Sequence, residues 1–197
     1  MKINLKQIYK GLDEWRAERK ITAESQKEGY IRNVMEEFGE LASALRDYER
    51  FSATEQDTAK KQKAEYEIID ALCDISAFTI NAGADINCNE KLESINTTTQ
   101  TTRCNSSLSF LLSECGNFDY YGKLSSYVCF NQILLSCAKL CEQYGFNFEI
   151  AMLETIKEIS SRTGSYDENA KKWVKDTSDE AKAKWYQADY EKARIEK

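Results

Sequence analysis

Apolar residues recur along this chain at helical rather than strand spacing. Over residues 4–20 they fall at Leu5, Ile8, Leu12 and Trp15. Separations of three and four place them on one helical face. A second stripe, within a helix from about Glu24 to Arg50, is Ile31, Val34, Met35, Phe38, Leu41, Ala42 and Leu45. Polar residues 51–60 follow, with Thr54 or Asp57 placed to cap a third helix over about 58–82, which Gly83 would stop. Residues 94–107, SINTTTQTTRCNSS, are polar and rich in capping residues, and read as a loop. Helical periodicity resumes over 107–115, 123–144 and 147–161. A loop around Arg162–Ser165, a short helix within 167–175 and a charged helix over 178–196 complete the chain.

These elements predict one all-α domain over residues 1–197, with a motif-bearing half (1–93), a loop (94–107) and a C-terminal helical half (108–197). Val34–Leu41 lines up weakly with Leu111–Phe118. The second half is therefore a candidate degenerate helical hairpin copied from the first. Chance likeness between two amphipathic helices is the competing explanation.

Composition sharpens this picture. The absence of proline leaves no helix broken by ring geometry. Absent histidine excludes Ser-His and Cys-His catalysis and every His-ligated metal site. A net charge of -6 argues against binding a nucleic acid polymer, which needs clustered Lys and Arg. The opening residues Met1–Lys6 lack the apolar run of a signal peptide, and no stretch has the length of a membrane span. A cytoplasmic chain with reduced thiols is the expectation. Cys137 and Cys141, one helical turn apart, would make at most half a zinc site. Buried packing is the default for them and for the other cysteines.

The chemistry-bearing pattern is acidic. Glu37 and Glu40 share a helical face beside the apolar stripe, with Glu36 on an adjoining flank. The third helix reads IIDALCDISAFTI from Ile68 to Ile80, almost wholly apolar or small. Its acids Asp70 and Asp74 continue a stripe that begins at Glu67 and ends at Asn81. Acids on a largely buried helix are costly unless compensated, and no nearby run of Lys or Arg is long enough to pair with them all. A divalent cation would compensate them, and oxygen-only donors favour Mg²⁺ or Mn²⁺. An antiparallel hairpin would bring the two helices' acids together.

The spacing Glu36-Glu37-x-x-Glu40 followed by Glu67-x-x-Asp70, within EEFGELASAL and EYEIIDALCDISAFTINAG, resembles the all-α nucleoside triphosphate pyrophosphohydrolase superfamily. MazG-like enzymes and dimeric dUTPases belong to it, and LDEWRAERKIT is similar to the first helix of such members. The likeness covers about residues 8–83. It implies Mg²⁺, with Mn²⁺ as substitute, held by Glu37, Glu40, Glu67 and Asp70. Glu40 or Glu36 would then act as catalytic base. The implied reaction converts a nucleoside triphosphate, such as dUTP or dCTP, to the monophosphate and pyrophosphate in a homodimer or homotetramer. Asp74 departs from the pattern, since many members carry an apolar residue there; it becomes an extra ligand or a substrate contact.

Phosphate oxygens need cationic partners. Arg162, Lys171 and Lys175 are the candidates, with surface charge as the competing explanation for each. Trp15, Gln26 and Asn81 are candidates for a base pocket, and Trp15 equally for the core. A different class of function also stands: a non-enzymatic adaptor that engages a protein partner through Trp185, Tyr186 and Tyr190 of the tail helix.

Overall fold

The computed structural model describes residues 1–53, 57–98, 107–120, 123–169 and 172–196. Its architecture is mostly helical, with two small two-stranded ribbons. In chain order the elements are β1 (Lys2–Asn4), α1 (Lys6–Glu18), α2 (Ala23–Ser52), α3 (Thr58–Ala84), α4 (Cys88–Lys91) and β2 (Ser94–Asn96). Then come α5 (Leu108–Tyr120), α6 (Lys123–Gln143), α7 (Phe148–Ser161), β3 (Gly164–Asp167), β4 (Lys172–Lys175) and α8 (Asp179–Lys182). A short 3-10 helix, Tyr190–Ala193, lies near the end.

Helix α3 is the centre of the bundle. It packs against α1, α2, α4, α6 and α7. Ile68, Ile69, Leu72, Cys73, Ile75 and Ile80 are fully buried along it. Each such Ile or Leu contributes roughly 1.5–3 kcal/mol relative to exposure, so this apolar run explains the helix's central place. Helix α2 lies antiparallel to it, joined by a short connection, and buries Tyr30, Val34, Leu41 and Ala44. Helices α5 and α6 form a second hairpin, and α6 packs on α3. Of the apolar positions aligned in the two hairpins, Val34, Leu111, Leu41 and Phe118 are buried, whereas Met35 and Leu112 are exposed.

Local signals set most helix ends. The Thr22 hydroxyl accepts the Ser25 N–H at 3.1 Å and starts α2. Asn147 does the same for α7 through Ile150 N–H at 3.2 Å. Gly145, at φ +82°, makes the turn before it.

Four expectations are corrected. The segment 94–107 is not wholly loop, because Ser94–Asn96 pairs antiparallel with Lys2–Asn4 and buries Ile95 against Ile3. The rest of that segment from residue 99 to 106, Cys104 included, and Thr54 lie outside the described residues. The short helix within 167–175 is instead half of a hairpin, in which Tyr166 stands opposite Trp173 and Gly164 opposite Lys175. Tyr166, Trp173 and Val174 are aromatic or β-branched and suit a ribbon, and a side chain at Gly164 would collide with the Trp173 ring.

The tail is the third. Helix α8 is four residues long, and no continuous helix runs to residue 196. The N–H groups of Tyr186, Ala188 and Asp189 leave the helical pattern for side chains of α7. They reach Ser161 Oγ at 2.8 Å, Glu158 Oε2 at 2.9 Å and Glu154 Oε2 at 3.3 Å. Tertiary acceptors outweigh local propensity here.

Cys137 and Cys141 are fully buried, and among the described residues no group of acids or thiols is arranged to hold a metal ion. The described cysteines are buried and unbridged, as the default expectation had it. None of the described helices is long and apolar enough to cross a membrane.

Gly83 does not stop α3, which continues to Ala84. Its role is close approach: an added Cβ would lie 2.5 Å from the ring of Phe130, itself fully buried. Overpacking of about 1–3 kcal/mol outweighs the gain of about 1 kcal/mol in helix propensity. Gly83→Ala is expected to lower the thermal midpoint. Gly116→Ala in α5, where nothing lies within 4 Å of the added Cβ, is expected to raise it. Thermal denaturation of both variants checks the contrast.

Candidate metal centre on the α2–α3 seam

Acidic side chains of α2 and α3 meet on one side of the hairpin. Glu37 is half-buried and its carboxyl is pushed up to about 7, first by burial and then by the charges of Glu40, Asp70 and Glu36. Asp70 is raised chiefly by burial, with Glu158 and Glu40 adding to it. Asp74 is raised far more, by burial and by the charges of Asp70 and Glu37. Arg162 eases all three. Glu37, Glu40, Asp70 and Asp74 therefore share one electrostatic neighbourhood, and Glu36 touches its edge from an exposed position.

Glu67 stands slightly apart. It is exposed and ion-paired with Lys63 at 3.4 Å. With Asp70 and Glu158 it lines a cleft of about 190 Å³ that also meets Ala188 and Tyr190.

Helix α7 supplies groups that the motif reading missed. Glu158 accepts Arg162 Nη2 at 2.9 Å and the Ala188 N–H at 2.9 Å. This turns the guanidinium toward the seam while neutralising part of its charge. Arg19 donates to the carbonyls of Ser160 at 2.9 Å and Arg162 at 3.0 Å, so the C-terminal end of α7 is capped by the cation that follows α1. Arg162 Nε is buried with no hydrogen-bond partner in the described structure. The signal for Glu158 was present: Glu154, Glu158 and Arg162 are spaced four apart on one helical face. Nothing in the sequence linked that face to the seam.

Lys175, at the end of β4, lies 4.7 Å from the Trp185 ring centroid. Its pKa is lowered by burial and by Arg162, against the pull of Glu158 and Asp74. Lys175 and Arg162 thus border the acidic seam together. Lys171 lies outside the described residues.

The three base-pocket candidates are not brought together. Trp15 packs under α7 and gives its N–H to the Ile159 carbonyl at 3.3 Å. Asn81 is buried, about two helical turns past Asp74, with its Oδ1 taken by Arg16 at 2.5 Å. Gln26 lines a separate cleft of about 270 Å³ with Lys20, Tyr166, Lys172 and Trp173. That cleft lies about 16 Å along α2 from Glu37, at eleven residues' rise.

The donors suit a hard divalent cation, since the acidic cluster consists of carboxylate oxygens held at a cost in mutual repulsion. A cation would relieve the burial and repulsion that raise Glu37, Asp70 and Asp74, a task in which Arg162 is the shared basic group. As they stand the side chains are not gathered into a ready-made cage.

No family model matches the chain, and neither does any curated protein or solved structure.

The raised Glu37 carboxyl makes a signed prediction for the metal-free protein. Below its ordinary value of 4.5 it is protonated in both the folded and unfolded chain. Between there and about 7 the unfolded chain releases the proton first, so its contribution to stability falls as pH rises and levels off above. Glu37→Gln removes that loss. Melting in the presence of a chelator should show variant and wild type nearly equal at about pH 4 and the variant more stable at about pH 8. A difference that does not change with pH would contradict this account.

Proposed function

We propose that the chain is a divalent-cation-dependent hydrolase that converts a nucleoside triphosphate to its monophosphate and pyrophosphate. One observation supports this above the rest. Glu37, Asp70 and Asp74 are partly buried within electrostatic reach of one another on adjoining helices, beside a guanidinium and an ammonium that suit a polyphosphate. The Glu36-Glu37-x-x-Glu40 and Glu67-x-x-Asp70 spacing adds the resemblance to the all-α pyrophosphohydrolases.

In this reading Glu37, Glu40, Glu67 and Asp70 hold Mg²⁺, or Mn²⁺ in its place. The bound ion supplies charge neutralisation for the phosphates and makes water easier to deprotonate. Arg162, held at Nη2 by Glu158, would turn its remaining guanidinium N–H groups to the polyphosphate. Lys175 adds a second cation from β4. Glu40, or Glu36 beside it, accepts the proton of the attacking water. Oxygen of that water bonds to the α-phosphorus, the bridge to the β-phosphate breaks, and pyrophosphate departs. Asp74, whose charged form burial and the charges of Asp70 and Glu37 disfavour, lies beside them as a further contact for the ion or the substrate.

The adaptor reading draws less from the tail. Tyr190 is buried and hydrogen-bonded to Asp70 and Thr155, and Tyr186 donates to Glu154. These rings serve the fold's own surface rather than standing out from it.

A pyrophosphate-release assay across ribo- and deoxyribonucleoside triphosphates, with Mg²⁺ and with Mn²⁺, tests the proposal. At least one substrate should give turnover that a chelator removes. Glu40 is exposed and its charge adds to the repulsion at the seam, so Glu40→Gln should fold and melt no lower than wild type. It should also lose about 10²–10⁴-fold in turnover if Glu40 is the base. No release above background from any triphosphate with either ion would end the reading.

A further inference from the structure

The last stretch of chain crosses α3 and α7 and directs its polar groups at their acids. Tyr186 donates to Glu154, the Ala188 N–H to Glu158, and Tyr190 Oη donates to Asp70 Oδ1 at 2.5 Å. The last of these contacts falls on a proposed ion ligand. Tyr190 is 5% exposed. Its hydroxyl also meets Thr155 Oγ1 at 2.9 Å, and its ring lies 6.3 Å from that of Tyr66. Packing of the ring needs no hydroxyl; a phenylalanine would fill the same space. The hydroxyl instead donates to one Asp70 oxygen and lies against Thr155 Oγ1, which also reaches the Ala151 carbonyl at 3.1 Å and so keeps its own place on α7. Tyr190 also forms part of the cleft that Glu67, Asp70 and Glu158 line.

We propose that Tyr190 is a positioning residue of this site. By engaging Oδ1 it holds the Asp70 carboxyl in one orientation and leaves Oδ2 to a divalent cation. The inference rests on the metal-site reading above. Carboxylates that ligate ions depend on such outer partners, and losing one typically costs about 10–100-fold in ion affinity. It also gives the irregular tail a reason: a continuous helix over 178–196 would not let Tyr186, Ala188 and Asp189 give their N–H groups to α7.

Binding of Mn²⁺ to the full chain, followed by the paramagnetic resonance signal of the free ion, needs no turnover. Tyr190→Phe is expected to weaken binding about 10–100-fold, and Asp70→Asn to weaken it at least as much. Tyr186→Phe removes a tail hydroxyl that serves Glu154 instead, and should leave affinity unchanged. Thr155→Val, which removes the neighbouring hydroxyl, should show a smaller loss of the same kind, and keeps the test open if Tyr190→Phe folds poorly. Equal affinity in wild type and Tyr190→Phe would overturn the proposal. So would an equal loss in Tyr186→Phe, the mark of a strap that merely holds the fold. A wild-type chain that binds no Mn²⁺ sinks this inference and the metal site together. One that binds Mn²⁺ but releases no pyrophosphate ends the enzymatic reading alone.

Discussion

Helix α3 is enclosed by five other helices, and almost everything else about the molecule answers to that enclosure. Its apolar residues drive the enclosure, and two of its acids, Asp70 and Asp74, are carried inward with them. Asp70 and Asp74 cannot reach bulk water as freely as surface carboxylates, so their charged forms are disfavoured. The nearest elements then supply what the burial demands. A tyrosine hydroxyl meets Asp70 and the Arg162 guanidinium attenuates the field, while the α2 acids add further repulsion. Burying a charge without full compensation costs several kcal/mol. A fold that keeps two on its central helix, in a stretch otherwise able to be apolar, retains them against stability.

The helices were legible because their signals are local. A stripe such as Val34, Phe38, Leu41 and Leu45 names its own period, and Thr22 and Asn147 announce helix starts through bonds spanning three residues. The acids on α2 and α3 were legible for the same reason, since a short connection between two long helices leaves them side by side. What escaped was non-local. Ser94–Asn96 becomes a strand only because residues 2–4 lie beside it. The tail has helical composition, yet acceptors on α7, some 25 to 35 residues earlier in the chain, draw its N–H groups away. Tyr190 and Asp70 are separated by 120 positions, and no periodicity joins them. Asn81 illustrates the reverse error: it continues the acidic stripe by spacing, but Arg16 from α1 has already claimed its carbonyl.

Charge balance at the seam bears on how a nucleotide would reach it. Glu37, Glu40, Asp70, Asp74 and Glu158 face chiefly Arg162 and Lys175, and Glu158 already pairs with Arg162. Arg162 therefore contributes direction more than net positive charge. Unit charges about 4 Å apart interact by roughly 4 kcal/mol at the effective dielectric of a protein surface, so a bare triphosphate approaching ionised acids meets a barrier that two basic groups do not remove. In the proposed reading the nucleotide arrives accompanied by its cation, or enters after the acids have taken one up. The raised carboxyls point the same way. Burial and mutual repulsion raise both Glu37 and Asp74, so in the proposed reading a loading cation competes with protons for the oxygens of the seam. Acid should weaken that loading by competition for the same oxygens, and this links the acidity of the medium, the ion and the substrate at one place on the α2–α3 hairpin.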